Sequence, residues 1–327
     1  VERVLIEISS RECLVSDDLY NFILDTKIED YVSKDDIFLV SKANQDKNSA
    51  LHSSMANQKT VKKAMAERLM KVYNTDFLPE NNKKFSFRVK FNKNICSLRL
   101  DTSGEGLHKR GYRVQSGLAP IEETLAASII MLTPFKKDRL FLDPFCGSGT
   151  FCIEAAMIAH NIAPGLYRVY TSETWTNLID RSIWEDAYKE AKCKIDISSS
   201  DIKIYGKDID KSMIDIAINN AKRAHVEKYI DFKPSDVKDV VMPKNMKYGF
   251  LVTNPPYGER LEDEESIIPL YENLKNTYKK LDSWSMYVIT SFNKAEEYLG
   301  KATKNRKIYN GMIKTYLYSY MGEKPKK

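Results

Sequence analysis

Leu140-Phe-Leu-Asp143-Pro-Phe-Cys-Gly147-Ser-Gly149-Thr150-Phe-Cys-Ile-Glu-Ala-Ala-Met-Ile-Ala159 is the stretch that decides the fold. Its first four residues read as a short buried strand, Leu140–Asp143, and the run from Thr150 reads as a helix, Thr150–Ala159. Between them lies a turn of small residues. With no Cβ at Gly147 and Gly149, the backbone can approach a ligand closely. The turn lacks the terminal Lys-Ser/Thr of an ATPase phosphate loop, and it is not Gly-x-Gly-x-x-Gly either. Asp143 in front of it would repel a pyrophosphate and attract the cationic end of an amino acid. A nucleoside bearing an amino-acid tail suits such a turn best.

Downstream the strand-then-helix rhythm repeats. Candidate strands are Ile202–Asp208, Tyr229–Phe232, Tyr248–Thr253 and Ser285–Thr290, with a helix over Lys211–Arg223. This alternation predicts a mostly parallel sheet covered on both faces, with ligands beyond the carboxyl ends of its strands. Asp208, at the second strand's tip, is placed to accept hydrogen bonds from two ribose hydroxyls, while Asp210 reads as the cap of the following helix. Asp236, after the third strand, could accept from an adenine amino group. The fourth strand closes on Asn254-Pro255-Pro256-Tyr257. Two prolines remove two amide donors, so the Asn254 side-chain oxygen and the Pro255 carbonyl can both accept from one exocyclic NH2 group. Tyr257 offers a flat face on which a base can stack. The terminal runs Lys307–Ile313 and Lys314–Met321 could pair as a hairpin at the sheet edge.

Upstream the pattern differs. Val61, Ala64, Met65, Leu69, Val72 and Tyr73 recur at helical spacing over residues 58–73, with Lys62, Lys63, Arg68 and Lys71 opposite. Phe85, Phe87, Val89 and Phe91 alternate with polar residues as in a half-buried strand, and an Asn92-Lys93-Asn94 turn leads to a second strand, Ile95–Leu100. The reading is a small α+β domain over residues 1–100, a connector over 101–118 and the strand–helix domain over 119–327. Residues 51–113 carry 14 basic and 5 acidic residues, against 6 and 11 in residues 1–50 and 31 and 29 in residues 114–327. A local positive excess of this kind suits phosphate binding. No run approaches the roughly 20 apolar residues of a membrane span, and no basic-then-apolar leader opens the chain. The five cysteines form no Cys-x-x-Cys pair, and four scattered histidines give no zinc spacing. A reducing, cytoplasmic setting without structural metal is expected.

Four runs carry a resemblance: LHKRGYR (107–113), APIEETLAA (119–127), DPFCGSGTFCIEAAMIAHNIAPG (143–165) and NPPYGERL (254–261). They resemble the bacterial 23S rRNA guanine-N2 methyltransferases that carry an N-terminal THUMP RNA-binding domain. The resemblance implies a Rossmann-like class I S-adenosylmethionine methyltransferase domain preceded by a smaller α+β THUMP-like domain. It implies cofactor contacts from Asp143, Phe145, Cys146, Gly147, Ser148, Gly149, Thr150, Asp208, Ile209, Asp236, Val237 and Asn254. A target-amine site would be formed by Asn254, Pro255, Pro256 and Tyr257. The expected partner is RNA, as 23S rRNA or a pre-ribosomal particle, held by Lys62, Lys63, Lys109, Arg110 and Arg113; neither membrane nor metal is expected. The opening at Val1, without an initiator Met, looks like a point already inside the family's N-terminal ferredoxin-like region, so an upstream piece is expected. Rival readings are a tRNA guanine-N2 methyltransferase, a DNA adenine-N6 or cytosine-N4 methyltransferase, a protein-glutamine methyltransferase, and a silent RNA-binding assembly factor.

Overall fold

The computed structural model describes residues 2–324 apart from Lys42, Gln45, 114–120, 199–202, 243–246 and 257–263. The chain divides into two compact units, Val1–Leu107 with Val169–Ala187, and His108–Arg168 with Tyr188–Lys327. Residues 169–187, placed in the strand–helix domain by the sequence reading, therefore fold with the first unit.

In the first unit, β1 (Leu5–Glu12), α1 (Ser16–Asp25), β2 (Ile37–Val40), α2 (Ser54–Val72), β3 (Lys84–Asn92) and β4 (Ile95–Asp101) build a four-stranded sheet of order β1-β4-β3-β2. Phe85, Phe87, Val89 and Phe91 are buried, as their alternation requires. Lys93 and Asn94 turn the hairpin with φ of +49° and +66°. Helix α2 starts earlier than its apolar spacing indicates, because the Ser53 hydroxyl accepts the Ala56 N–H at 3.3 Å and caps it. Val61, Ala64, Met65 and Leu69 are buried, whereas Val72 lies exposed at the helix end. Trp175, from the inserted segment, is 1% exposed, stacks on Phe85 at 4.8 Å and donates its Nε1–H to the Lys84 carbonyl at 3.0 Å.

The basic excess of residues 51–113 does not survive folding as a basic domain. Arg68 donates to Glu29 at 2.6 Å, Arg99 to Glu7 at 2.8 Å, and Arg88 and Arg3 both to Asp101 at 2.8 and 2.7 Å. The whole first unit holds 18 basic and 20 acidic residues, the second 33 and 25. The chain's positive charge therefore belongs to the second unit.

That unit contains α3 (Glu123–Leu132), β5 (Phe141–Asp143), α4 (Thr150–Ala159), the last part of α5 (Arg181–Cys193), β6 (Ile204–Asp208), α6 (Lys211–Arg223), β7 (Ile230–Pro234), β8 (Phe250–Thr253), α7 (Glu264–Lys279), β9 (Ser285–Thr290), α8 (Ala295–Leu299), β10 (Lys304–Asn310) and β11 (Ile313–Tyr320). Its seven strands are ordered β10-β11-β9-β8-β5-β6-β7, parallel from β7 to β9 and antiparallel beyond. The expected edge hairpin is present, but its turn is Gly311-Met312, with Gly311 at φ +60°, rather than a break after Ile313. Side chains alternate between the two faces of β5: Phe141 joins one apolar cluster and Leu142 another. The chain runs β5, β6, β7 outward on one side, then returns to lay β8 on the other side of β5. The order reverses between β5 and β8, the switch point at which sheets of this kind take ligands in a crevice beyond the carboxyl ends of their strands.

Candidate active site

Two loops meet at that crevice. The first leaves β5 at Asp143, whose side chain is 1% exposed. Its Oδ1 accepts from the Thr253 hydroxyl at 2.6 Å and from the Phe145 N–H at 3.2 Å. Burial pushes its carboxyl up to about 7, against the pull of those two hydrogen bonds. Thr253 ends β8, so this bond ties the ends of the two central strands together. The residue was invisible as a site residue in the sequence; its only signal is a hydroxyl at the last position of an otherwise apolar strand.

Beyond Asp143 the loop is pinned by backbone bonds. Cys146 N–H donates to the Lys207 carbonyl at 2.8 Å and Gly149 N–H to the Cys146 carbonyl at 2.7 Å. Gly147 N–H donates to Asp208 Oδ2 at 2.9 Å, and the buried Asn220 amide donates to the Ser148 carbonyl at 3.0 Å. The two glycines have different reasons to be there. Gly149 has φ +85°, and a Cβ on it would lie 2.9 Å from Phe232 and 3.0 Å from Ala217, so packing forbids a side chain. Gly147 has φ +49°, and among the described residues a Cβ there would meet only Met213, at 3.9 Å. Gly206 on β6 has the same neighbour as Gly149: a Cβ there would stand 2.4 Å from ring atoms of Phe232. Burial pushes the Cys146 and Cys152 thiols up, so neither is a nucleophile at neutral pH.

Three acids stand at successive strand ends. Asp208 is half-buried, oriented by Gly147 N–H and by Asp210 N–H at 3.0 Å. Asp210 caps α6 as expected, taking the Ser212 N–H at 2.8 Å. Asp236 caps a short helical turn through the Lys238 N–H at 3.1 Å and pairs with the Lys238 ammonium at 3.2 Å. Ile209 is 74% exposed at the β6 tip, Phe145 is half-buried, and the Val237 side chain is buried in an apolar cluster.

The second loop leaves β8 at Asn254. Its Oδ1 is buried and, among the described residues, has no hydrogen-bond partner. Pro255 is buried and Pro256 exposed; Tyr257 lies outside the described residues. A buried carbonyl oxygen without a donor costs about 1–3 kcal/mol, a cost that a donor from a ligand would remove.

The cationic connector corrects an expectation. Arg110 and Arg113 are not on the surface. Arg110 Nε lies 3.4 Å from Glu154 Oε1, which also accepts the Tyr112 hydroxyl at 3.0 Å. Arg113 donates to the Ile121 carbonyl at 2.7 Å and the Thr150 hydroxyl at 2.8 Å, and stands 3.5 Å from Glu123. Both guanidinium groups have partners inside the unit, whereas a surface phosphate contact needs a free one. Arg113 instead braces Thr150, the first residue of α4. Lys109, Lys62 and Lys63 are exposed.

Residues 110–319 match the protein family described as RMKL-like, methyltransferase domain. The chain belongs to this family. It is 38% identical over 322 residues to YpsC of Bacillus subtilis (strain 168), which carries the name of an RNA methyltransferase; the match covers 98% of the chain and 82% of that protein. It is 36% identical to the ribosomal RNA large subunit methyltransferase K/L of Psychromonas ingrahamii over 97% of its own length, but spans only 43% of that longer protein. Among solved structures, SMU.472, a methyltransferase complexed with SAH, superposes with a TM-score of 0.88 at 35% identity, over 99% of this chain and 85% of that one.

The sheet is thus that of an S-adenosylmethionine-dependent methyltransferase. Among the described residues only Met213 stands near the position of a Cβ on Gly147, and Asp143, Asp208 and Asp236 stand at or just beyond the ends of β5, β6 and β7. No helix among the described residues is long and apolar enough to cross a membrane, and no His, Cys, Asp and Glu cluster among them could hold a metal ion.

Proposed function

We propose that the protein methylates N2 of a guanine in RNA, in 23S rRNA specifically. The observation that carries this reading is the buried Asn254 oxygen at the end of β8, which has no donor among the described residues and stands one strand from the cofactor loop. The names of YpsC and of the K/L enzyme point the same way. S-adenosylmethionine, when bound, supplies a methyl group that is already strongly electrophilic.

The protein's task is alignment. Asn254 Oδ1 and the Pro255 carbonyl accept the two N–H bonds of the target amine, turning its lone pair toward the cofactor loop. Thr253 fixes this loop to the other through Asp143. Tyr257 stacks on the base. The tetrapeptide contains neither His nor Glu, consistent with a nitrogen that sheds its proton during or after attack. A guanine amine inside a helix is out of reach, so the nucleotide is unstacked or presented by a loop. Asp143, Asp208 and Asp236 take the cofactor's ammonium, ribose and adenine ends. The first unit serves as a THUMP-like RNA-binding module, with Lys62 and Lys63 on its outer helix face and Lys109 following it in the chain.

The test is methylation of a 23S rRNA transcript, read by mass spectrometry of its nucleosides. N2-methylguanosine should form with the wild-type protein and not with Asn254→Ala, although that variant still binds S-adenosylmethionine. Methylated adenine or cytosine, or methylation of DNA but not RNA, would refute the reading.

A further inference from the structure

The second unit's positive charge is unevenly spread, and the C-terminal hairpin concentrates it. Residues 298–322 contain five basic residues, Lys301, Lys304, Arg306, Lys307 and Lys314, and no acidic one. All five are exposed, and among the described residues none forms an ion pair with a carboxylate.

Register arranges them. Lys307 stands directly opposite Tyr316, and Tyr309 opposite Lys314, so the four share one face of the β10–β11 ribbon. The Lys307 ammonium lies 5.2 Å from the Tyr309 ring centre, and that of Lys314 is equally far from the Tyr316 ring. Lysines on an edge strand often serve only to prevent pairing with another sheet. That role does not account for the apolar surface beside them: Tyr309 is 56% exposed, Ile313 37% and Met312, at the turn, 98%.

Register also fixes where the face points. Tyr316 pairs with Thr290, the last residue of β9, and Thr253 pairs with Val288. Two residues on from Thr253, Pro255 is therefore level with Thr290 and Tyr316. Residues 308–315 of the hairpin overhang the sheet past that level, by roughly 10 Å at about 3.4 Å per residue. They overhang its carboxyl end, the end where Asn254 waits for a donor. Two strand spacings of about 4.8 Å separate β8 from β11, so the hairpin face stands within the reach of a few nucleotides from the target pocket.

We propose that this overhang, with Lys307 at its base, is an RNA-contact surface, which takes single-stranded nucleotides flanking the target: Tyr309 stacks on a base, and Lys307 and Lys314 hold phosphates. Interleaved rings and ammonium groups are the usual means of gripping an unpaired strand. The proposal rests on the RNA reading above and adds a second contact region, on the catalytic unit itself.

Binding of a labelled 23S rRNA transcript, measured across a salt series, tests it. Lys307→Ala with Lys314→Ala should weaken binding about tenfold near 0.1 M salt and reduce the log–log salt slope by about 1.4, two phosphate contacts at about 0.7 each. Tyr309→Ala should weaken binding about fivefold or more and leave the slope unchanged. Lys279→Ala, an exposed lysine at the end of α7 and so on the amino side of β9, should change neither. Unaltered S-adenosylmethionine affinity and melting temperature identify properly folded variants. Wild-type-like affinity and slope in the hairpin variants would overturn the proposal and leave the RNA reading standing, as would an equal loss in Lys279→Ala. A wild-type protein that neither binds nor methylates the transcript would overturn the RNA reading, and the hairpin's role with it.

Discussion

The loop after β5 and the loop after β8 end neighbouring strands and serve one reaction, yet they are built on opposite terms. In the first, Cys146, Gly147, Ser148 and Gly149 all have a backbone group hydrogen-bonded within the unit. In the second, the Asn254 oxygen is buried and has no donor among the described residues. A loop that must present a fixed shape to a cofactor is satisfied in advance. On the proposed reading the second selects for an amine, because a ligand with a donor removes the penalty of a buried, unmatched acceptor.

The largest expected effect breaks the second loop. Asn254→Ala should lower kcat by about 10²–10³-fold, the scale for loss of one aligned hydrogen-bonding group, with cofactor affinity unchanged by calorimetry. Equal loss in both would mean that the two loops do not divide the work. Asp143→Asn attacks the first loop and should reverse the pattern: cofactor affinity falls about 100-fold, yet the free protein melts higher. The sign follows from a carboxyl whose folded pKa is raised to about 7. Above that pH the native protein holds a buried charge that the unfolded chain keeps in water, so the gain from Asn should be larger at pH 8 than at pH 5, where the wild-type side chain is already neutral. For the same reason, wild-type cofactor affinity should fall as pH drops below about 7 and Asp143 takes up a proton.

The two glycines sharpen the contrast. Gly149→Ala drives a Cβ into Phe232 and Ala217 and should cost about 1–3 kcal/mol by denaturant unfolding. Gly147→Ala meets little protein and should cost nearer 1 kcal/mol, while still weakening cofactor binding. The smallest effect belongs to the tie between the loops. Thr253→Val should reduce kcat about tenfold and move the pH midpoint of cofactor binding upward, since Asp143 loses a hydrogen bond that favours its charged form.

The parallel sheet was legible because its signals are local. Helices α4 and α6 and strand β9 run as their apolar patterns indicate, and Asp143 and Asn254 stand at the strand ends where the motifs place them. What was hidden depends on partners far along the chain. Arg110 and Arg113 read as surface cations because nothing near them in sequence shows Glu154 or Glu123 waiting inside the fold. The lysine- and arginine-rich stretch around α2 and β3 read as a basic domain because Glu7 and Glu29, which fold against it, lie in an earlier and acidic segment. Thr253 carried no motif; only the approach of β5 to β8 turns its hydroxyl into a tie. Tyr257, whose stacking role comes from the motif, lies outside the described residues.

The first unit borrows Trp175 from residues 169–187, and this has a consequence for how the protein is made. As the chain emerges from the ribosome, residues 1–107 are complete long before the tryptophan that covers Phe85 has been synthesised. Strand β5, its loop and α4 appear in between. The nascent first unit must therefore wait with an apolar patch bare, and a fragment ended at Leu107 keeps that patch for good. Expressed alone, it should be a sticky piece of a domain, and any experiment that assigns RNA binding to the first unit needs the returning segment as well as the leading one.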